Sequence, residues 1–281
     1  MALARCLIKK MRAGVACGFA RLVANIAKGL CFGLLAASFI PHQAAAADDA
    51  AQFPKRANFE RERASHEARH VADWVVHAGD NHAGDNHAGD NRSLPFVIVD
   101  KTDAKVFVFD AHGRLRGAAP ALLGLARGDE AVPGIGDREL SSIRPEEKTT
   151  PAGRFVAALG GNMRGEDVLW VDYDTAVSMH RVLTTKPEER RLQRLATPTP
   201  LDNRISYGCI NVPAKFYENV VRPAFSGTNG IVYVLPETRL AREVFASYDV
   251  EEHTRLQTAS RPVPAHVTSA AARHVAAHLS Y

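Results

Sequence analysis

From Leu94 onward the chain is built of short apolar runs separated by turn residues. Phe96-Val97-Ile98-Val99-Asp100 and Lys105-Val106-Phe107-Val108-Phe109-Asp110 are rich in β-branched and aromatic residues and predict two strands. Asp110-Ala111-His112-Gly113 predicts a hairpin turn into a third. Thr149-Thr150-Pro151-Ala152-Gly153 interrupts the chain before a strand at Arg154–Leu159, and Val168–Val171, Ala176–Val182 and Ile231–Leu235 complete the series. Many short strands with few helical runs predict a mostly β domain over 94–236, a sandwich or barrel with a few short helices. Two helices are expected within it. Thr185-x-x-Glu188 has the spacing of a capping box with Pro187 in the first turn, and Pro213 opens a run that would place Phe216, Tyr217 and Val220 on one side.

The flanks have a different texture. Residues 48–93 are polar and carry three consecutive copies of His-Ala-Gly-Asp-Asn, at His77–Asn81, His82–Asn86 and His87–Asn91. A period of five fits neither helix nor strand, so the segment reads as a flexible linker rather than a metal site. Past Pro236 the chain is rich in Ala, His and Arg, and 237–281 reads as a peripheral helix followed by a loose tail.

The first 47 residues hold Arg5, Lys9, Lys10, Arg12, Arg21 and Lys28, no acidic residue, an apolar run from Gly29 to Ile40, and Ala44 to Ala47 before Asp48. These are the parts of a secretory signal, and so short a run does not fill the ~30 Å membrane core as a helix. An exported protein with no stable membrane span after cleavage is therefore expected. This reading changes the charge. The full chain has 35 Lys+Arg against 31 Asp+Glu and a net charge of +4, but six of those basic residues belong to the leader, leaving a mature chain that is slightly acidic. No nucleic-acid partner is implied.

It also changes the cysteine count. Of the four cysteines, Cys6, Cys17 and Cys31 lie in the leader, and Cys209 alone remains, so neither an internal disulfide nor a Cys-based zinc site is expected. Cys209 follows Gly208, whose freedom permits a sharp bend that aims backbone N–H groups at one point. The helix opened by Pro213 would favour a thiolate if its N-terminus faced the sulfur. Residues 94–236 contain two histidines. His112 falls in the predicted turn. His180 alternates with Ser178 on one side of a strand whose other side carries Val177 and Met179. A satisfied structural histidine and an inert buried thiol are the alternatives; one Cys and one such His in the same predicted sheet favour a Cys209–His180 dyad.

These residues resemble the L,D-transpeptidase catalytic domain, which remodels bacterial peptidoglycan. His180 matches that family's upstream histidine. Ser206-Tyr207-Gly208-Cys209-Ile210-Asn211 matches its Ser/Thr-His-Gly-Cys-aliphatic-Arg/Asn signature except at Tyr207. The resemblance covers about 140 residues and includes the Thr-Pro-x-Gly turn at Thr150–Gly153. It implies a cysteine acyltransferase of the periplasm of a Gram-negative bacterium, acting on peptidoglycan stem peptides, with no metal or organic cofactor. Cys209 would be the nucleophile and His180 the base, with Ser206, Tyr207, Gly208 and Asn211 supporting the loop and the oxyanion. Transfer to water, giving a carboxypeptidase or endopeptidase, and a non-catalytic wall-binding relative are the alternatives. Two departures stand out: Tyr207 itself, and a Thr184–Arg204 stretch that lengthens the His-to-Cys separation to 29 residues and would form a lid or substrate loop.

Overall fold

The computed structural model describes residues 55–78 and 89–260, all within one unit spanning Ala51–Tyr281. The leader expected at 1–47, the central repeat and the tail beyond 260 lie outside the described residues.

Among the described residues ten strands form the framework: β1 (Phe96–Asp100), β2 (Lys105–Phe109), β3 (Leu115–Pro120), β4 (Leu123–Gly124), β5 (Gly153–Gly161), β6 (Asp167–Asp172), β7 (Val177–Arg181), β8 (Arg204–Ser206), β9 (Ile210–Val212) and β10 (Gly230–Val234). Eight make one sheet in the order β3-β2-β1-β10-β5-β6-β7-β9, and β4 pairs with β8. Paired backbone bonds between Leu122 and Asn211, at 2.8 and 2.9 Å, join the chain after β3 to the far edge strand β9, so the sheet nearly closes on itself. The domain is the mostly β barrel that the short apolar runs predict. Closure removes the exposed edges that an open sheet would offer.

The interior holds Val97, Val99, Val106, Val108, Leu169, Met179, Ile210, Val232 and Val234. The alternate residues of β1, β2 and β10 face outward: Phe96, Ile98, Phe107, Phe109, Ile231 and Tyr233. They too are buried, beneath helices. Strands buried on both faces read as continuous apolar runs, as these do. Their cover is α1 (His66–His77) together with α4 (Ala241–Phe245) and α5 (Val250–Ser260). Val156 on β5 is 57% exposed and marks where that cover ends.

Helix α1 falls inside the 48–93 segment that reads as a linker, and it corrects that reading. Ser65 caps it by accepting from the Ala68 N–H at 3.0 Å, and Ala68, Val71, Ala72 and Val75 form a fully buried stripe at helical spacing. The repeats' outer residues are tied down as well. Asp90 accepts from Arg154 Nε at 2.7 Å, and Asn91 donates to the Leu94 and Ala111 carbonyls at 2.7 and 2.9 Å.

The capping box expected at Thr185 does not form. A 3₁₀ turn runs from Pro187 to Glu189, Arg190 adopts φ +47°, and only then does α2 (Arg191–Ala196) begin. Pro187 does open a turn, but the left-handed Arg190 stops it from growing into α2. After Pro213 the chain enters α3 (214–224), which contains a π turn at Tyr217–Val221. Pro223 lies just beyond that turn and has no N–H to donate to the preceding one. Tyr217, Val221 and Phe225 join the interior, with Phe216 and Val220 packed against it. Among the described residues no helix is long and apolar enough to cross a membrane.

Candidate active site

Strand β7 carries the first half of the site. Val177 and Met179 point into the barrel, so Ser178 and His180 stand on its outer face. This is the same face that the helices cover on β1, β2 and β10; here Ser178 is buried and His180 stays partly exposed. The parallel pairing of β7 with β9 sets His180 opposite Asn211 and brings Cys209, one residue before β9, alongside. Cys209 is half-buried. Its sulfur lies 3.7 Å from Ser178 Oγ and 3.7 Å from the Ala176 carbonyl oxygen.

His180 Nδ1 lies 2.7 Å from the Arg181 carbonyl. A carbonyl only accepts, so Nδ1 carries the proton and Nε2 is left to face a partner. Cys209 acts on that ring electrostatically. Burial alone would lower the imidazole's affinity for a proton, yet the attraction of the Cys209 thiolate outweighs it and raises the His180 pKa. Burial alone would likewise raise the thiol, yet the attraction of His180, with help from Ser178, holds it below its ordinary value. Both shifts favour one thiolate–imidazolium pair.

The loop before the sulfur is held from several sides. Gly208 has φ +129°, and a Cβ there would sit 2.7 Å from the Thr149 carbonyl oxygen, so only glycine fits. Its carbonyl accepts from Thr150 Oγ1 at 2.8 Å. Its N–H donates to Ser206 Oγ at 3.1 Å, which corrects the expectation that this N–H faces an oxyanion. Ser206 in turn donates to the Cys209 carbonyl at 2.6 Å. Asn211, 1% exposed, donates to the same carbonyl at 3.2 Å and accepts from Arg191 at 2.8 Å. The helix-dipole expectation is also corrected. Strand β9 separates Cys209 from α3 by ~10 Å, beyond the reach of a helix terminus. His180 supplies the positive charge instead.

Tyr207 is half-exposed, and its ring lies 3.8 Å from Lys148 Nζ, a cation–π contact rather than one with the sulfur. The 184–204 stretch is folded back onto the barrel, not extended as a loop. Arg191 on α2 reaches Asn211, and Arg194 donates to the Asp202 carbonyl at 2.6 Å. Arg181 bonds Asp167 and Glu218 and lies 4.3 Å over the Tyr217 ring.

Sequence reasoning missed the support beneath the loop. Lys101 is fully buried and donates to the Gly128 carbonyl, Asp129 Oδ1 and the Thr150 carbonyl at 2.5, 2.8 and 2.9 Å. Thr150 Oγ1 also accepts from the Gly124 N–H at 2.9 Å. Glu237 draws Arg204, on β8, into the same cluster at 2.6 Å. The Thr150–Gly153 turn was the one legible signal of this arrangement. Among the described residues no group of three or more His, Cys, Asp or Glu side chains is placed to hold a metal.

No family model matches the chain, and no curated protein matches it. Among solved structures, the helical cell shape determining protein Pgp2 from Campylobacter jejuni is 16% identical, over 52% of this chain and 49% of that one, with a TM-score of 0.33. An L,D-transpeptidase from Xylanimonas cellulosilytica is 16% identical over 56% and 67%, with a TM-score of 0.32. One from Mycobacterium tuberculosis is 14% identical over 50% and 57%, with a TM-score of 0.31. The chain spans 49%, 62% and 59% of the length of the first three structures it matches.

Proposed function

We propose that this protein is an exported peptidoglycan L,D-transpeptidase. The observation that carries the reading is the His180–Cys209 pair, coupled in charge, both partly exposed on the barrel's outer face, with Cys209 inside the motif Ser206–Asn211. Cys209 thiolate attacks the carbonyl of the third residue of a stem tetrapeptide, forming a C–S bond. The bond to the terminal D-Ala nitrogen breaks, and that nitrogen leaves with the proton from His180 Nε2. The Cys209 N–H is the backbone donor for the oxyanion, because the Gly208 N–H is already bonded to Ser206. An amine then attacks the thioester carbonyl and forms the new amide; the C–S bond breaks, the Cys209 thiolate leaves, and His180 takes the amine's proton. Ser206, Asn211 and Thr150 hold the loop rigid through these changes.

The test is release of D-alanine from a purified disaccharide-tetrapeptide by the wild type and by Cys209→Ala. The expected result is release by the wild type alone, with a crosslinked or exchanged product seen by mass spectrometry. Stems left equally intact by both proteins would end the enzyme reading.

A further inference from the structure

The part of the outer face around the dyad carries a pair of aromatic side chains as well. Trp170 on β6 is paired directly with Ser178 on β7, and opposite residues of an antiparallel pair share a face. Trp170 therefore stands beside Ser178, whose hydroxyl is 3.7 Å from the sulfur. Tyr173, half-exposed, stacks on Trp170 with ring centroids 4.9 Å apart and an interplanar angle of 23°. The turn that carries Tyr173 ends at Ala176, whose carbonyl touches the sulfur on its other side.

Glycine makes room for this stack. A Cβ at Gly160 would lie 2.8 Å from Trp170 Cδ1 and 3.5 Å from the Tyr173 hydroxyl. The indole N–H points to the Gly161 carbonyl, at 3.4 Å. The stack belongs to neither core cluster. Trp170 is partly buried and Tyr173 half-exposed, so the stack presents an aromatic surface on the face that carries Ser178.

We infer that Trp170 and Tyr173 form a platform for a pyranose ring of the glycan strand to which the stem peptide is attached. This rests on the wall-peptide reading above. A pyranose has a flat C–H face and a polar rim, which suits an open aromatic surface. An apolar side chain would be better served by an enclosed pocket. The spacing also fits. Directly paired side chains have Cβ atoms about 5 Å apart, so the platform begins within ~10 Å of the sulfur. Three extended residues from the attacked carbonyl back to the sugar span ~10 Å.

The chain has two tryptophans, and Trp74 is buried under α1, so a saccharide-induced change in fluorescence reports on Trp170. Full-length protein carrying Cys209→Ala, which separates binding from turnover, is titrated with chitotetraose and with the sugar-free tetrapeptide. The expected result is a saturable fluorescence change with chitotetraose and a Kd that rises at least about fivefold in Tyr173→Ala. No response to chitotetraose, or a response to the tetrapeptide alone, overturns the inference. Shifts of the Trp170 indole N–H resonance in protein with Tyr173 intact give the same reading should Tyr173→Ala fail to fold. Saccharide binding without stem turnover would count against the enzyme reading and leave the platform standing; turnover without saccharide binding would do the reverse.

Discussion

Thr150→Val is the substitution that best isolates how the Cys209 loop is held. Valine keeps the shape of threonine and removes only the hydroxyl. That hydroxyl is fully buried, donates to the Gly208 carbonyl at 2.8 Å and accepts from the Gly124 N–H at 2.9 Å. Both partners are themselves buried. An orphaned buried polar group costs ~1–3 kcal/mol, so two of them together cost about 2–6 kcal/mol. For a protein of this size that lowers Tm by roughly 4–24 °C. Thr150→Ser keeps the hydroxyl, gives up one methyl group and loses about 1 kcal/mol. Urea denaturation measures both variants. Site-resolved iodoacetamide labelling of Cys209 in the native state reports on the loop, and labelling is expected to slow in Thr150→Val as the sulfur loses its fixed place beside His180. A Thr150→Val protein as stable as Thr150→Ser, with unchanged labelling, would refute this account of the loop.

Two further outcomes follow from the charges. The Cys209 thiol is held low by His180, so the pH midpoint of its alkylation should lie below the ~8.5 of a free cysteine. In His180→Ala burial acts without that partner and the midpoint should move above it; a midpoint indifferent to His180 would break the pairing. Asp129 sits in the buried cluster with Lys101. Burial raises its pKa, but Lys101, Thr238 and the Glu237 and Thr238 N–H groups outweigh that and hold it well below the usual carboxylate range. A depressed carboxyl stabilises the fold above its unfolded value of ~3.9, and that stability is lost as pH falls through the lower folded value. At neutral pH Asp129→Asn should therefore cost about 1–3 kcal/mol, since it removes one of the two carboxylates facing the buried Lys101 and leaves Glu237 at 3.7 Å. In urea melts its gap from the wild type should narrow below pH ~4; a gap independent of pH would contradict the assignment.

Local signals carried much of the fold and the chemical half of the site. The apolar runs at Phe96–Asp100 and Lys105–Phe109 are strands, and the alternation of Ser178 and His180 against Val177 and Met179 puts the histidine on the correct face. What stayed hidden depends on contacts far apart in sequence. Lys101, Asp129, Thr150 and Glu237 converge from separate loops, and nothing near any one of them announces the others. Helix α1 was legible in principle, since Ala68, Val71, Ala72 and Val75 keep helical spacing, but the polar average of 48–93 and its repeats masked that stripe. At Thr185 a local pattern was present and lost, because Arg190 adopts a left-handed conformation before α2 can begin. The role of the Gly208 N–H could not be read from the motif, because Ser206 captures it only once the bend has formed.

The most direct measurement is the intact mass of the protein within the first turnovers on a disaccharide-tetrapeptide. The expected result is an adduct on Cys209 equal to the substrate less D-alanine, slowed in His180→Ala and absent from Cys209→Ala. An unmodified wild-type protein beside an intact stem, or D-alanine released equally by Cys209→Ala, would contradict it.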